Sequence, residues 1–167
     1  ILEFEGNKII KVNLNNDIGI HICKSMLSYQ KFGHSGKPTK EKPDHFVGNY
    51  YVLFNKELEK NPKLEEEAQE LLIKWEKGDK KTLALWKKMN SWALQGFKET
   101  YKKFGIKIDK DYYESRIYKK GKDIIIKGLK KHIFYKKQDG AVAINLEKEG
   151  LEEKIVLRAD GTSVYIA

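Results

Sequence analysis

Glu114 follows two tyrosines, Tyr112 and Tyr113, and precedes Ser115. A carboxylate in that setting, at the mouth of a sheet, can accept a guanidinium through two parallel hydrogen bonds, because the planar fork of that cation matches the two carboxylate oxygens. The same acid would also be favoured at the start of a following helix, where the macrodipole welcomes negative charge. Two other places carry polar groups in comparable settings: Asn15-Asn16-Asp17 closes a β-branched run, and Asp160-Gly161-Thr162-Ser163-Val164-Tyr165 follows another run near Ala167. Asp17 can orient a ligand group or cap the helix behind it. Tyr165 can wall a pocket for an amino acid, or be an ordinary strand tyrosine. Asn16, Tyr113 and Asp160 stand beside these residues as supporting polar groups.

Other chemistries find less support. His21 and Cys23 resemble a metal pair, but residues two apart on a helix point to different faces, and no CxxC or second cluster accompanies them. His34 and His45 flank a Gly/Lys/Pro loop without ligand spacing. Asp109, Asp111 and Glu114 can be drawn as a cation site, although no calcium-loop pattern surrounds them. No glycine-rich phosphate loop is present, which argues against a P-loop kinase or a dinucleotide-dependent oxidoreductase. No metal site is therefore expected. Trp75, Trp86 and Trp92 suggest a base-stacking platform, yet at helical spacing they read better as core.

The elements that must position these groups alternate in type. Lys8 to Leu14 alternates and is β-branched, so it predicts a strand ended by Asn15-Asn16-Asp17, which can cap the succeeding helix. Ile18, Ile22 and Met26 then recur at helical spacing up to Gly33. Residues 44–105 predict three helices. Asp44 caps the first, with Phe46, Tyr50, Phe54 and Leu58 inward. Asn61-Pro62 opens the second, with Leu64, Ala68, Leu71 and Trp75 inward. Asp79 caps the third, along a stripe from Leu83 through Trp86, Phe97 and Tyr101 to Phe104, and Gly105 stops it. Ile106–Asp109 returns to strand pattern, and Ser115 can cap a helix carrying Ile117, Ile124, Ile125 and Leu129. Ile133–Tyr135, the Gln138-Asp139-Gly140 turn and Ala141–Leu146 make a hairpin, and Ile155–Leu157 a further strand. The expected class is α/β, with ligands beyond the carboxyl ends of the strands. By that rule Asn16/Asp17, Tyr112–Glu114 and Asp160–Tyr165 should converge.

Composition sets outer bounds. The 167 residues suit one domain and are 40% hydrophobic, too apolar for disorder. Their apolar runs are too short to span a bilayer. One cysteine rules out an internal disulfide framework and fits a reducing compartment, hence a cytoplasmic location. Net charge is +9, and the segment from Lys102 to Lys137 holds thirteen Lys/Arg against four Asp/Glu, a surplus equal to that of the whole chain. Such a block can hold a polyanion or serve as a solvated face; being lysine-rich, it would favour phosphates over base edges.

Val12-Asn13-Leu14-Asn15-Asn16-Asp17-Ile18-Gly19, Tyr113-Glu114-Ser115 and Asp160-Gly161-Thr162-Ser163-Val164-Tyr165 together resemble the arginyl-tRNA synthetases, class I enzymes. The segment Gly19–Leu27 and the helical insertion from Asp44 through Trp92 are similar to a variant found in a branch of that family. The likeness covers essentially the whole chain. It implies a partial Rossmann-like nucleotide-binding catalytic domain, with residues 1–33 and 106–167 as core and 44–105 as a helical insertion. It further implies activation of L-arginine with ATP, Mg2+ accompanying the nucleotide, transfer to tRNA(Arg), and no tightly bound cofactor. In the resemblance Glu114 binds the substrate guanidinium and Tyr165 lines the arginine pocket.

The family's HIGH motif would precede Ile1, and its KMSKS loop and anticodon-binding domain would lie beyond Ala167. The expectation is an internal piece of a ligase, inactive alone and prone to self-association. The competing expectations are a stand-alone basic RNA-binding module using Lys102–Lys137, and a helical insertion of purely structural role.

Overall fold

The computed structural model describes residues 1–162 and Val164, apart from the Lys119 side chain. Strand β1 (Val12–Asn15) leads into helix α1 (Ile20–Phe32), followed by α2 (Pro43–Lys60), α3 (Lys63–Glu76) and α4 (Lys80–Lys103). The chain returns as β2 (Lys110–Tyr113), which runs straight into α5 (Glu114–Lys130), and ends in β3 (Tyr135–Lys136), β4 (Val142–Ile144) and β5 (Lys154–Leu157). β1 and β2 pair in parallel, with Val12 opposite Lys110 and Asn15 opposite Tyr113. Parallel neighbours need a long crossover, which the four helices supply. β3, β4 and β5 form a separate antiparallel sheet in that order. The molecule is mixed α/β, as the alternation of patterns predicts.

The main core lies where α1, α2, α3 and α4 meet, around Met26, Phe54, Ala68 and Met89. A smaller core joins Ile125 of α5 to Val142 and Val156 of the antiparallel sheet. Trp75 is buried, and its ring meets that of Trp86 edge-on, with centroids 5.3 Å apart. The tryptophans are packing residues, and no stacking platform is exposed among the described residues.

Several local signals hold. The Asp79 carboxylate accepts the Thr82 backbone N–H at 2.8 Å and the Thr82 hydroxyl at 2.7 Å, capping α4. Gly105, at φ 66°, closes that helix, and Gly33 closes α1. Asn61 receives the Lys63 N–H at 3.3 Å at the start of α3. The hairpin turn sits where expected, with the Ala141 N–H on the Asp139 carboxylate at 2.9 Å.

Four expectations need correction. The first strand begins at Val12 rather than Lys8, and the second at Lys110 rather than Ile106. Lys11 is where pairing starts: its carbonyl takes the N–H groups of Asp109 and Lys110, and its N–H donates to the Asp109 carboxylate. Residues outside that point have no partner strand among the described residues, whatever their propensity.

Asp44 does not cap α2. Pro43 occupies the first turn behind Lys42, and the Asp44 carboxylate turns to the Lys42 ammonium at 2.6 Å. Finally, the α4 stripe is buried only in part: Phe97 and Phe104 remain 41% and 77% exposed. The residues α4 buries fully are Thr82, Met89 and Gly96, because its last turns run past the helical cluster.

Candidate functional site

The parallel register brings the carboxyl ends of β1 and β2 side by side, so Asn16 and Glu114 leave neighbouring strands together. Glu114 is half-buried as the first residue of α5. Burial pushes its carboxyl above the usual range, and the nearby Asp17 charge adds to the effect.

Asp17 lies beneath, only 7% exposed. Its carboxylate accepts the Ser115 backbone N–H at 2.8 Å and the Ser115 hydroxyl at 2.6 Å. Its carbonyl oxygen accepts the Trp86 indole N–H at 2.6 Å and the Asn90 amide at 3.0 Å. Asp17 therefore caps α5, a helix 98 residues further along the chain, and not α1, which starts at Gly19 with no side-chain cap. Ser115 is correspondingly not a cap; it sits inside the first turn and donates to one.

Beside Glu114 opens a cavity of about 470 Å3 whose lining includes Asn16, His21, Glu76, Glu114, Tyr118 and Arg158. Val164 lines it as well. Tyr165 itself falls outside the described residues. Two of the supporting candidates point elsewhere. Tyr113 faces a second cavity, of about 430 Å3, together with Asn13, Phe97 and Tyr101. Its ring lies 4.9 Å from the Arg116 guanidinium carbon.

Asp160 organises its own turn. It accepts the Thr162 N–H at 2.8 Å and the Gln69 amide of α3 at 2.6 Å. Burial alone would push the Asp160 carboxyl up, but the Thr162 and Gln69 hydrogen bonds and the Arg158 charge bring it below its ordinary value. Arg158 donates to the Thr162 hydroxyl at 3.1 Å.

Sequence reasoning did not single out Glu76, Tyr118 or Arg158. Tyr118 was recoverable, since it lies four residues after Glu114 and on the same face once α5 starts there. Arg158 directly follows β5, where a strand exit could have flagged it. Glu76 ends α3 within an acid-rich helix, and nothing local distinguishes it. It pairs with Lys122 of α5.

His21 faces the Tyr51 hydroxyl at 3.2 Å, whereas Cys23 is fully buried, its thiol pushed up to about 12 by burial and by the Glu76 charge. Among the described residues no group of three or more His, Cys, Asp or Glu side chains could hold a metal ion. Nor, among those residues, is any helix long and apolar enough to cross a membrane. In the basic block, Lys122 and Lys137 are engaged by Glu76 and Glu153, while Lys102, Lys103, Lys107, Lys127 and Lys130 are exposed.

The fold recurs in the crystal structure of a protein assigned as an arginyl-tRNA synthetase from Campylobacter jejuni. It has a TM-score of 0.56 and 18% identity, over 99% of this chain and 35% of that one. Among curated proteins, the arginine–tRNA ligase of Treponema denticola is 53% identical over 170 residues, which covers 99% of this chain and 29% of the ligase. That of Parabacteroides distasonis is 48% identical over 185 residues, covering 99% and 31%. The chain thus spans about 30% of the length of the curated relatives it matches. The family model described as tRNA synthetases class I (R), catalytic domain, matches residues 1–167. With every residue inside that match, the chain belongs to the catalytic-domain family of the class I arginyl-tRNA synthetases.

Proposed function

We propose that this chain supplies the amino-acid side of the active site in a longer arginine–tRNA ligase. In that enzyme the carboxylate of L-arginine displaces pyrophosphate from ATP, with Mg2+ accompanying the nucleotide, and the arginyl group then passes to tRNA(Arg) in the cytoplasm. Residues 1–33 and 106–167 belong to the core of one catalytic domain, and 44–105 to its helical insertion. The observation that carries this reading is that Asn16 and Glu114, each one residue past the last paired position of adjacent parallel strands, line one cavity.

Glu114 takes the substrate guanidinium, a cation that restores to a half-buried carboxylate the stabilisation it lost with water. Asp17 acts through Ser115, fixing the first turn of α5 and with it the Glu114 backbone, rather than by touching substrate. Asn16 lines the cavity as a polar wall, and Tyr165 is assigned to the arginine pocket on family likeness. Tyr113 and Asp160 serve the surrounding framework.

The test is tRNA-dependent ATP–pyrophosphate exchange by the full-length ligase carrying this segment, with arginine offered against lysine and glutamine. Exchange should be specific for arginine and fall by about 100-fold or more in Glu114→Gln, the scale expected when a buried charge partner is removed. The 167 residues alone should show none, since activation needs phosphate-handling groups that the family places on other segments. A folded ligase without arginine-dependent exchange would overturn the reading. Salt-sensitive RNA binding indifferent to arginine would then favour the basic-module alternative.

A further inference from the structure

The cavity beside Glu114 takes part of its wall from both sides of the turn after β5, since Arg158 and Val164 each line it. That turn is closed by its own backbone: the Gly161 N–H donates to the Arg158 carbonyl at 2.9 Å, and the Arg158 N–H donates to the Thr162 carbonyl at 2.9 Å. Val164 lies two residues beyond Thr162, so at most about 7 Å of extended chain separates them. Wherever the turn is held, both lining residues follow.

β5 leads into the turn, and the core that β5 enters joins the antiparallel sheet to α5 through Ile125, Val142 and Val156. Another part of the cavity wall, Leu72 and Glu76, comes from α3 in the helical insertion. Gln69 of α3 connects the two. Its amide nitrogen donates to the Asp160 carboxylate at 2.6 Å and to the Thr162 hydroxyl oxygen at 3.3 Å. Thr162 is only 2% exposed. Gln69, Leu72 and Glu76 are spaced three and four apart, so they share one face of α3. Along the axis Gln69 stands only about 4.5 Å from Leu72.

The chemistry of this contact suits a fastening. Against the upward push of burial, the Thr162 and Gln69 hydrogen bonds and the Arg158 charge keep the Asp160 carboxyl below its ordinary value. It is therefore ionised near neutral pH and only accepts, which makes each hydrogen bond to it stronger than a neutral one. One of its oxygens takes the Thr162 N–H at 2.8 Å and the other takes Gln69, so a single carboxylate ties the turn to itself and to α3.

Resting on the reading of this cavity as the amino-acid pocket, we propose that Gln69 is a positioning residue that fastens the turn 158–162 to α3 and so sets the place of the Arg158 and Val164 walls. It acts through Asp160 and Thr162. The helical insertion thereby keeps the pocket assembled before arginine arrives. With the fastening removed, only the fraction of molecules whose turn is in place binds at full strength, and the apparent affinity falls by that fraction.

The test uses the full-length ligase carrying this segment, with Gln69→Met, which keeps the length but removes the donor, Gln69→Asn, which shortens the reach, and Gln69→Lys, which restores a donor. Amide hydrogen exchange read by mass spectrometry reports on residues 158–162 and on α3. Pyrophosphate-exchange kinetics give kcat and the KM values for arginine and ATP. Gln69→Met should speed amide exchange in the turn by about 3–10-fold without changing α3, and raise the arginine KM by a similar factor. The ATP KM and kcat should stay within about twofold. Gln69→Asn should move the same two values in the same direction, and Gln69→Lys should bring both back to within about twofold of wild type.

An arginine KM unchanged in folded Gln69→Met overturns the proposal. So does a raised KM without faster amide exchange in the turn, faster exchange in α3 as well, or a Gln69→Lys variant as impaired as Gln69→Met. If Gln69→Met does not fold, Gln69→Asn decides on the same values. A wild-type ligase without arginine-dependent pyrophosphate exchange defeats the underlying pocket reading. An active wild type with impaired Glu114→Gln and normal Gln69→Met defeats this inference alone.

Discussion

Asp17 and Ser115 show how two residues can meet without any local signal. Each reads from its neighbours as a potential cap for the helix next to it. In the fold, the Asp17 carboxylate instead takes both the N–H and the hydroxyl of Ser115, 98 positions further along the chain. Asp17→Ala should lower stability by about 1–3 kcal/mol, the cost of losing a cap and leaving buried donors unmatched, measured by urea unfolding. Glu114 provides a pH signature. Because its folded-state carboxyl titrates above its unfolded value, the protein binds that proton more tightly when folded. The stabilisation is complete below the unfolded pKa of about 4 and disappears as pH rises through the higher folded value. Glu114→Gln should flatten stability across that window in urea titrations at successive pH values. Asp17→Asn should bring the Glu114 titration downward, since a like charge is removed. What was readable here was the chemical type of each group; its partner was not.

Elements were legible at several places where the determining contact is short in sequence. The Asp79 cap, the Gly105 stop and the Asp139-Gly140 turn each depend on a few consecutive residues, and each is present. Packing between helices obeys another logic. Gly96 looks like a weak point in α4, yet a Cβ there would sit 2.2 Å from the Asp44 Oδ1 and 2.6 Å from the Asp44 backbone nitrogen. The close approach of α2 and α4 thus requires glycine, for lack of space rather than for backbone freedom. Gly96→Ala should cost about 3 kcal/mol, in the upper range for overpacking, and lower Tm by roughly 6–12 °C in a thermal melt. Asp79→Ala, which touches only a cap, should cost about 1 kcal/mol. The contrast separates a defect in one element from a defect between two.

At the scale of the whole molecule, the exposed surface is the unusual feature. The parallel sheet has only two strands among the described residues, and Val12 and Leu14 are each 56% exposed on it. An apolar face beside unpaired strand edges favours association. The 167-residue chain should therefore sediment with a concentration-dependent mass, and the double variant Val12→Thr, Leu14→Thr should shift it toward the monomer. The sequence by itself determined the α/β class, the helical run between two strands, the Asp79 cap, the glycine helix stops, the hairpin turn and the family likeness. These depend on periodicity and on contacts a few residues long. Only the tertiary structure decided which polar groups meet. Strand register sets Asn16 beside Glu114, the meeting of α3 with α5 brings Glu76 into the same cavity, and Tyr113 and Asp160 are turned to other partners. The physical reason is that pairing register and helix packing are fixed by burial summed over the whole chain, a quantity that no short window of residues contains.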